Sequence, residues 1–249
     1  MKNGKSMGKS TNGRAKSPFG PDVILPQHIV LIPDGNRRWA KEHNLPIEEG
    51  HRVGFETVMD VTRAAEKWGI KYFTVWAFST ENWHRTKFEV RYLMRLYRDF
   101  LVKHLREFVK KGVKVVHLGR RDRIPGFLVK VLDDAIKKTE NNNKLVLNIA
   151  LDYGGRDEIV RAVKKIIAAG RDPDQLNEDE FKKYLDTNGE PEPDLIIRTS
   201  GEQRLSGMMP FQSAYAEYYF EQCHLPDFTA EKLKEAILDY SNRQRRFGQ

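Results

Sequence analysis

The chain has a single cysteine among its 249 residues, Cys223, which excludes an internal disulfide framework and a cysteine-based zinc site. No stretch approaches the roughly 18 apolar residues of a membrane-spanning helix, and the start lacks the uninterrupted apolar core of a signal peptide. A soluble protein of the cytoplasm is the expectation. Internal repeats are missing, and no Pro/Gly/Ser-rich linker divides the body, so one domain with a sizeable core is expected. Acidic residues are the scarcer charge, 35 against 43 Lys and Arg, for a formal net charge of +8. Part of that excess lies in the first residues, where Lys2, Lys5, Lys9, Arg14 and Lys16 face only Asp22 and almost nothing apolar could anchor structure. We therefore expect a basic disordered tail over 1–24 and a folded body over 25–249. No nucleic-acid module is recognisable, so the charge does not argue for nucleic-acid binding. A basic tail suits peripheral contact with an anionic membrane surface instead.

What is present is an alternation of short apolar runs with longer amphipathic ones. The pattern predicts strands near 28–33, 72–78, 113–118, 145–151 and 194–198. Helices are predicted at about 37–43, 51–68, 88–111, 125–139, 157–169, 178–186 and 229–246, the last with Thr229 as N-cap. Strand and helix repeated in this way argue for an α/β fold with a central, mostly parallel sheet covered on both faces.

In open α/β sheets ligands bind beyond the carboxyl ends of the strands. The segments following the strands are "PDGNRR", "STENWHR", "LDYGGRDE" and "RTSGEQR", each rich in Gly, Asn, Ser, Glu or Arg. Gathered on one edge they would form a polar, cationic mouth. In the first, Gly35 permits close backbone approach, Arg37 and Arg38 supply forked donors for phosphate oxygens, and Asp34 suits a hard cation such as Mg²⁺. An ordinary Asp-Gly turn with solvated arginines fits the same letters. The second segment offers Ser79, Glu81, Asn82, Trp83 and Arg85, suited to a substrate with an apolar body and an anionic head; Trp83 as core and Asn82 as a helix cap are the structural alternative. The third places Arg198, Arg204 and Ser206 within nine residues, enough donors for a second diphosphate. Glu217, a lone acid in the aromatic run "AYAEYYF", is costly unless paired or metal-bound. Between these clusters Phe88, Leu93, Met94, Tyr97, Phe100, Leu101, Leu105 and Phe108 recur at helical spacing, a core stripe or the wall of a hydrocarbon tunnel.

From about residue 26 onward the chain resembles the cis-prenyltransferases, the undecaprenyl diphosphate synthase family. The resembling segments, in the family's order, are "HIVLIPDGNRRWA", "GHRVG", "WAFSTENWHR", "LNIALDYGGRDEI", "DLIIRTSGEQRLS", "QSAYAEYYF" and "NRQRRFG". The resemblance implies a Mg²⁺-dependent α/β homodimer with a hydrophobic tunnel, which condenses isopentenyl diphosphate onto an allylic prenyl diphosphate to give a longer Z-polyprenyl diphosphate, a lipid glycan carrier precursor. Carried over by position, it implies that Asp34 ionises the allylic diphosphate with Mg²⁺, while Gly35, Asn36, Arg37, Arg38 and His51 cradle it and Trp39 flanks it. Arg198, Arg204, Leu205 and Ser206 would form the isopentenyl diphosphate clamp, with Glu217 a further metal ligand near the dimer interface. Asn82 would accept the proton lost on condensation, surrounded by Ser79, Thr80, Glu81, Trp83 and Arg85. Arg246 and Gly248 would reach the partner's site.

The chain departs from the family pattern at three places. Pro33 stands where many bacterial members have Met, and "LSGMMPFQ" replaces "ISNFLLWQ"; both resemble archaeal-type members. Ile47 stands where many members have an arginine four residues before the His of "GH", which bears on the primer. A trans-prenyltransferase is disfavoured because Asp133 and Asp134 are followed by "AIKK" and not by a third aspartate. A non-catalytic subunit of a heteromeric prenyltransferase would lack the aspartate and arginine motifs kept here. A single-condensation or branching variant on the same fold stays open.

Overall fold

The computed structural model describes residues 18–243. Six strands form one sheet: β1 (His28–Ile32), β2 (Tyr72–Ser79), β3 (Val113–Leu118), β4 (Leu145–Tyr153), β5 (Leu195–Arg198) and β6 (Glu217–Phe220). Their order is β3-β4-β2-β1-β5-β6, with every pairing parallel. The helices are α1 (Asn36–Glu42), α2 (Ile47–Trp68), α3 (Lys87–Lys111), α4 (Gly126–Thr139), α5 (Gly155–Ala168), α6 (Glu178–Lys182) and α7 (Ala230–Asn242).

Because β1 is central, every one of its residues is buried, and alternate side chains serve opposite faces. Ile29 and Leu31 enter the larger core with α2, α3, α4 and α7, whereas Val30 and Ile32 join a smaller cluster with Ile196, Met208 and Met209. The long helices start and stop where local chemistry dictates. Thr86 Oγ1 accepts from the Glu89 N–H at 3.2 Å to open α3, and Gly112, at φ 74°, closes it.

The predicted strands and long helices are present. The differences lie at the edges: β6 adds a strand within the aromatic run that carries Glu217, and α6 stops at Lys182. Among the described residues α7 ends at Asn242, and 244–246 lie outside them. Phe88 does not join the buried stripe of α3; it is 67% exposed, because at 100° per residue it falls on the outward arc with Arg95 and Arg106 and not with Leu93 and Tyr97. Of the predicted tail, residues 1–17 lie outside the described range, while 18–24 rest on the body. Phe19 meets Trp68 edge-on at 5.3 Å, and the Ile24 N–H donates to Ser241 Oγ at 2.9 Å.

A polar row crosses the smaller face. His28 Nε2 and Thr74 Oγ1 are 2.8 Å apart, Asn148 Nδ2 donates to Thr74 Oγ1 at 3.1 Å, and the same amide donates to Glu190 Oε2 at 2.5 Å. Burial pushes Glu190 up from 4.5 to about 7 and His28 down from 6.5 to about 4. The folded state thus keeps a proton on Glu190, a contribution complete below pH 4.5 and lost as pH rises through 7. His28 acts oppositely, its contribution complete above pH 6.5 and lost towards pH 4. Glu190→Gln should therefore match the parent near pH 4.5 and exceed it by on the order of 1–3 kcal/mol at pH 8 in urea unfolding. A pH-independent difference would rule out this titration.

Candidate active site

The sheet order changes direction at β1, which lies between β2 and β5, so the crevice beyond the carboxyl ends of β1 and β5 is the topological switch point. Asp34 and Arg198 meet there. Arg198 closes β5 with only 5% of its surface exposed, and its Nη2 donates to Asp34 Oδ2 at 2.9 Å. Its Nη1 donates to Ser206 Oγ at 2.8 Å and to the Arg204 carbonyl. The buried Nε has no partner among the described residues, a donor left for an anion. Asp34 Oδ1 accepts the Gly35 N–H at 2.7 Å and lies 3.2 Å from Arg38 Nη2. Burial raises the Asp34 pKa, but the Arg198 hydrogen bond and the two guanidinium charges outweigh it, holding the carboxyl below its ordinary range.

Thr199 fixes the turn from the other side. Its hydroxyl accepts the Asp34 N–H at 2.8 Å and donates to the Asp34 carbonyl at 2.7 Å. Gly35, at φ 100°, makes the reversal into α1, and a Cβ there would lie 2.6 Å from both Ser200 Oγ and His224 Nδ1. Those two atoms are themselves 2.6 Å apart, and His224 Nε2 lies 3.0 Å from Glu42 Oε1 on α1. In the loop after β5, Ser200 and Ser206 hold φ values of 79° and 53°, left-handed conformations that persist only where surrounding contacts over-determine them.

Glu202 joins the cations. It accepts from Arg38 Nη1 at 3.1 Å and also pairs with Arg204. Its carboxylate stands where an anionic group between these two arginines belongs.

The opposite wall comes from β2 and the turn after it. Ser79 and Asn82 form a reciprocal capping box in which Asn82 Oδ1 accepts the Ser79 N–H at 3.0 Å. Asn82 thus caps the turn and also lines the cavity. Arg85 Nη1 donates to Glu89 Oε1 at 3.0 Å, with buried His51 Nε2 3.5 Å from the same carboxylate. Burial, reinforced by Arg85, lowers the His51 pKa, so the ring is neutral near pH 7.

Two hollows meet at these residues. One, of about 290 Å³, runs inward past Asp34, Asn82, Arg198 and Ser206 to an apolar wall that includes Leu93, Tyr97, Phe100 and Leu101 of α3. The other, of about 650 Å³, is a cationic basin formed by Gly35, Asn36, Arg37, Arg38, Lys41 and Arg85, with Ile47 on its rim. Pro33, Asp34, Asn36, His51 and Arg85 line both. An anionic head beside an apolar body is the ligand that this pair fits. Among the described residues no three His, Cys, Asp or Glu side chains gather to hold a metal. Asp34 alone suits an ion that takes its remaining ligands from phosphate and water, as Mg²⁺ does.

The sequence model of the putative undecaprenyl diphosphate synthase family matches residues 32–248. The chain belongs to this family. Isoprenyl transferase from Clostridium perfringens is 47% identical over 228 residues, covering 90% of each chain. The ditrans,polycis-undecaprenyl-diphosphate synthase of Micrococcus luteus, specific for (2E,6E)-farnesyl diphosphate, is 46% identical over 90% of this chain and 92% of its own. Among solved structures, lavandulyl diphosphate synthase from Lavandula x intermedia, in complex with dimethylallyl diphosphate, superposes with a TM-score of 0.88 at 37% identity, over 90% of this chain and 99% of that one. The fold and the reaction class follow: the protein is a prenyltransferase that extends prenyl diphosphate chains in the cis sense.

Several residues that the family resemblance assigned to the substrate have other partners within the chain. Trp39 lines neither hollow; its Nε1 donates to Asp227 at 3.0 Å and its ring stacks on His43. Trp83 donates to Asp152 Oδ1 at 2.8 Å and lies under Arg123, making it an anchor for the turn. Glu81 is exposed, Thr80 faces Gly154, and Leu205 packs in the smaller core with Met208 and Met209. Both methionines of the departing "GMMPF" segment are fully buried there. Glu217 stands opposite Leu195, at the amino end of β5, paired with Arg243 at 2.9 Å; within one chain it does not meet Asp34. Arg246 and Gly248 lie outside the described residues.

Sequence reasoning passed over Glu202, Thr199, Ser200, His224 and Asp152. Glu202 could have been singled out as the one acid in a cationic loop, but nothing in the letters ties His224 to Ser200. Gly35→Ala should cost about 1–3 kcal/mol in chemical denaturation, because its φ and the space taken by His224 and Ser200 both oppose a side chain. Stability within 0.5 kcal/mol of the parent, a range ordinary for surface changes, would show that the turn relaxes freely.

Proposed function

We propose that the enzyme condenses isopentenyl diphosphate onto farnesyl or geranylgeranyl diphosphate through repeated cis additions, giving a long polyprenyl diphosphate that serves as a glycan carrier precursor. The observation that carries this reading is Asp34, held between Arg198 and Arg38 where the cationic basin opens into the apolar cavity. Arg37, Arg38, His51 and Arg85, with the amides of the Gly35 turn, take the allylic diphosphate. Arg198, Arg204 and Ser206 take that of isopentenyl diphosphate, the free Arg198 Nε pointing to this use. Glu202 yields its arginines when the substrate arrives. The allylic chain extends along α3, whose apolar wall excludes water from the reacting carbons. Asn82 accepts the departing proton through the second lone pair of Oδ1. Asp34, together with the substrate phosphates, would hold Mg²⁺, which would supply charge neutralisation of the leaving diphosphate.

A homodimer belongs to the same reading. Val160, Val163 and Ile167 form an exposed apolar stripe on α5, and pairing would give Glu217 a role at a metal that it lacks within one chain. We assign the catalytic domain to residues 25–249, with 18–24 resting on it and the basic residues Lys2 to Lys16 preceding them in sequence. A long prenyl product also calls for contact with a membrane surface; among the described residues no helix is long and apolar enough to cross one.

A single-condensation variant is the second reading. It is supported by the modest cavity of about 290 Å³ and by the similarity to lavandulyl diphosphate synthase. Incubation with Mg²⁺, labelled isopentenyl diphosphate and, separately, geranyl, farnesyl and geranylgeranyl diphosphates separates the two. A ladder or a single long product is expected, with Asp34→Ala lowering turnover by roughly 10²–10³-fold. A single added unit would select the second reading, and unextended primers from folded protein would favour a partner-dependent subunit.

A further inference from the structure

Helix α3 presents opposite chemistries on its two sides. Inward, Leu93, Tyr97, Phe100 and Leu101 line the apolar cavity. Outward, Phe88, Val102 and Val109 are 67%, 60% and 44% exposed. At 3.6 residues per turn they share an arc of about 140° with Arg91, Arg95, Arg98, Lys103, Arg106 and Lys110. The one acid in that arc, Asp99, is held by Arg98 at 2.8 Å. Glu89 and Glu107 lie on the flank towards α2, paired with Arg85 and Arg63. Among the described residues Arg91, Arg95, Lys103, Arg106 and Lys110 have no acidic partner, unlike Arg52 and Arg63 of α2, each bracketed by acids. The face continues onto α4, where Phe127 is 42% exposed with the Arg98 guanidinium 5.9 Å above its ring. From residue 88 to 109 it runs about 32 Å.

We propose that this face docks the enzyme on an anionic lipid bilayer. Excess cations and exposed apolar side chains on one helix face match the two components of a bilayer interface, anionic headgroups and the acyl boundary beneath them. A nucleic acid would complement the cations alone and leave Phe88, Val102 and Phe127 without a role. Docking in this orientation sets the helix that walls the cavity against the membrane. Its usefulness for product delivery rests on the long-chain reading above, whereas the docking itself is measurable without catalysis.

The test is co-sedimentation of the full-length protein with vesicles of phosphatidylcholine alone or with about one quarter phosphatidylserine, and each cation near such a surface is worth roughly a fivefold change in partition. Binding is expected only to the anionic vesicles. It should fall on the order of 100-fold in Arg91→Gln/Arg95→Gln/Arg106→Gln and several-fold in Phe88→Ser/Val102→Ser. These positions are exposed, so circular dichroism and turnover of a short soluble primer in detergent-free buffer should match the parent, which separates loss of docking from loss of the reaction. Unchanged vesicle binding in the triple variant would overturn the proposal by assigning the attraction elsewhere, including to the basic tail. So would binding to short duplex DNA as tight as to anionic vesicles with no effect of Phe88→Ser/Val102→Ser, or a self-association that the same substitutions abolish.

Discussion

Arg198 is a charge placed almost wholly out of water, and the mouth of the cavity is organised around the groups that make this tolerable. A buried guanidinium without partners is strongly destabilising. Here Asp34, the Ser206 hydroxyl and the Arg204 carbonyl receive its donors. Each of those contacts also fixes something else. The Asp34 contact ties the end of β1 to the end of β5, and the other two shape the loop that carries the remaining cations. The buried Nε, which has no partner among the described residues, is both a cost to the free protein and an invitation to an anion.

The same economy appears one layer away. The loop after β5 is held from below by Gln212, whose Nε2 donates to Glu158 Oε2 at 3.0 Å and to Thr187 Oγ1 at 3.1 Å. Glu158 in turn accepts from the Tyr153 hydroxyl at 2.6 Å and from the Asp186 N–H at 2.9 Å. On the other side of the mouth, Asp152, in a left-handed conformation at φ 56° and fully buried, holds Trp83 and Arg123. The turn bearing Asn82 is thus oriented by a residue 70 positions away. Buried networks of this kind, satisfied here except at Gln212 Oε1, rigidify the elements that present a site, which a reaction sensitive to ångström-scale misplacement requires.

Much of this was legible in the letters. The five buried strands read as apolar runs, the long helices as 3.6-residue periodicities, and three of the four polar segments after strands as a shared mouth. Asp34, Arg198 and Ser206 did come together, and the stripe of α3 did become a cavity wall. The partners of the aromatic residues were not legible. Trp39 and Trp83 sit in the motifs, yet their indole N–H groups are spent on Asp227 and Asp152. A motif reports that a residue is near a site, whereas its partner decides which way the ring faces.

By itself the sequence determined what is local: where strands and helices form, which side of each is apolar, and which loops carry donors, since these depend on periodicities of two and 3.6 residues and on turn chemistry within a few positions. Tertiary structure alone decided which loops meet. The order β3-β4-β2-β1-β5-β6 puts β5 beside β1, with Ile29 opposite Leu195, 166 positions later, and so sets Arg198 against Asp34, 164 positions earlier. Strand order is settled by how all the apolar faces are buried together, a property of the entire chain that no window of sequence contains.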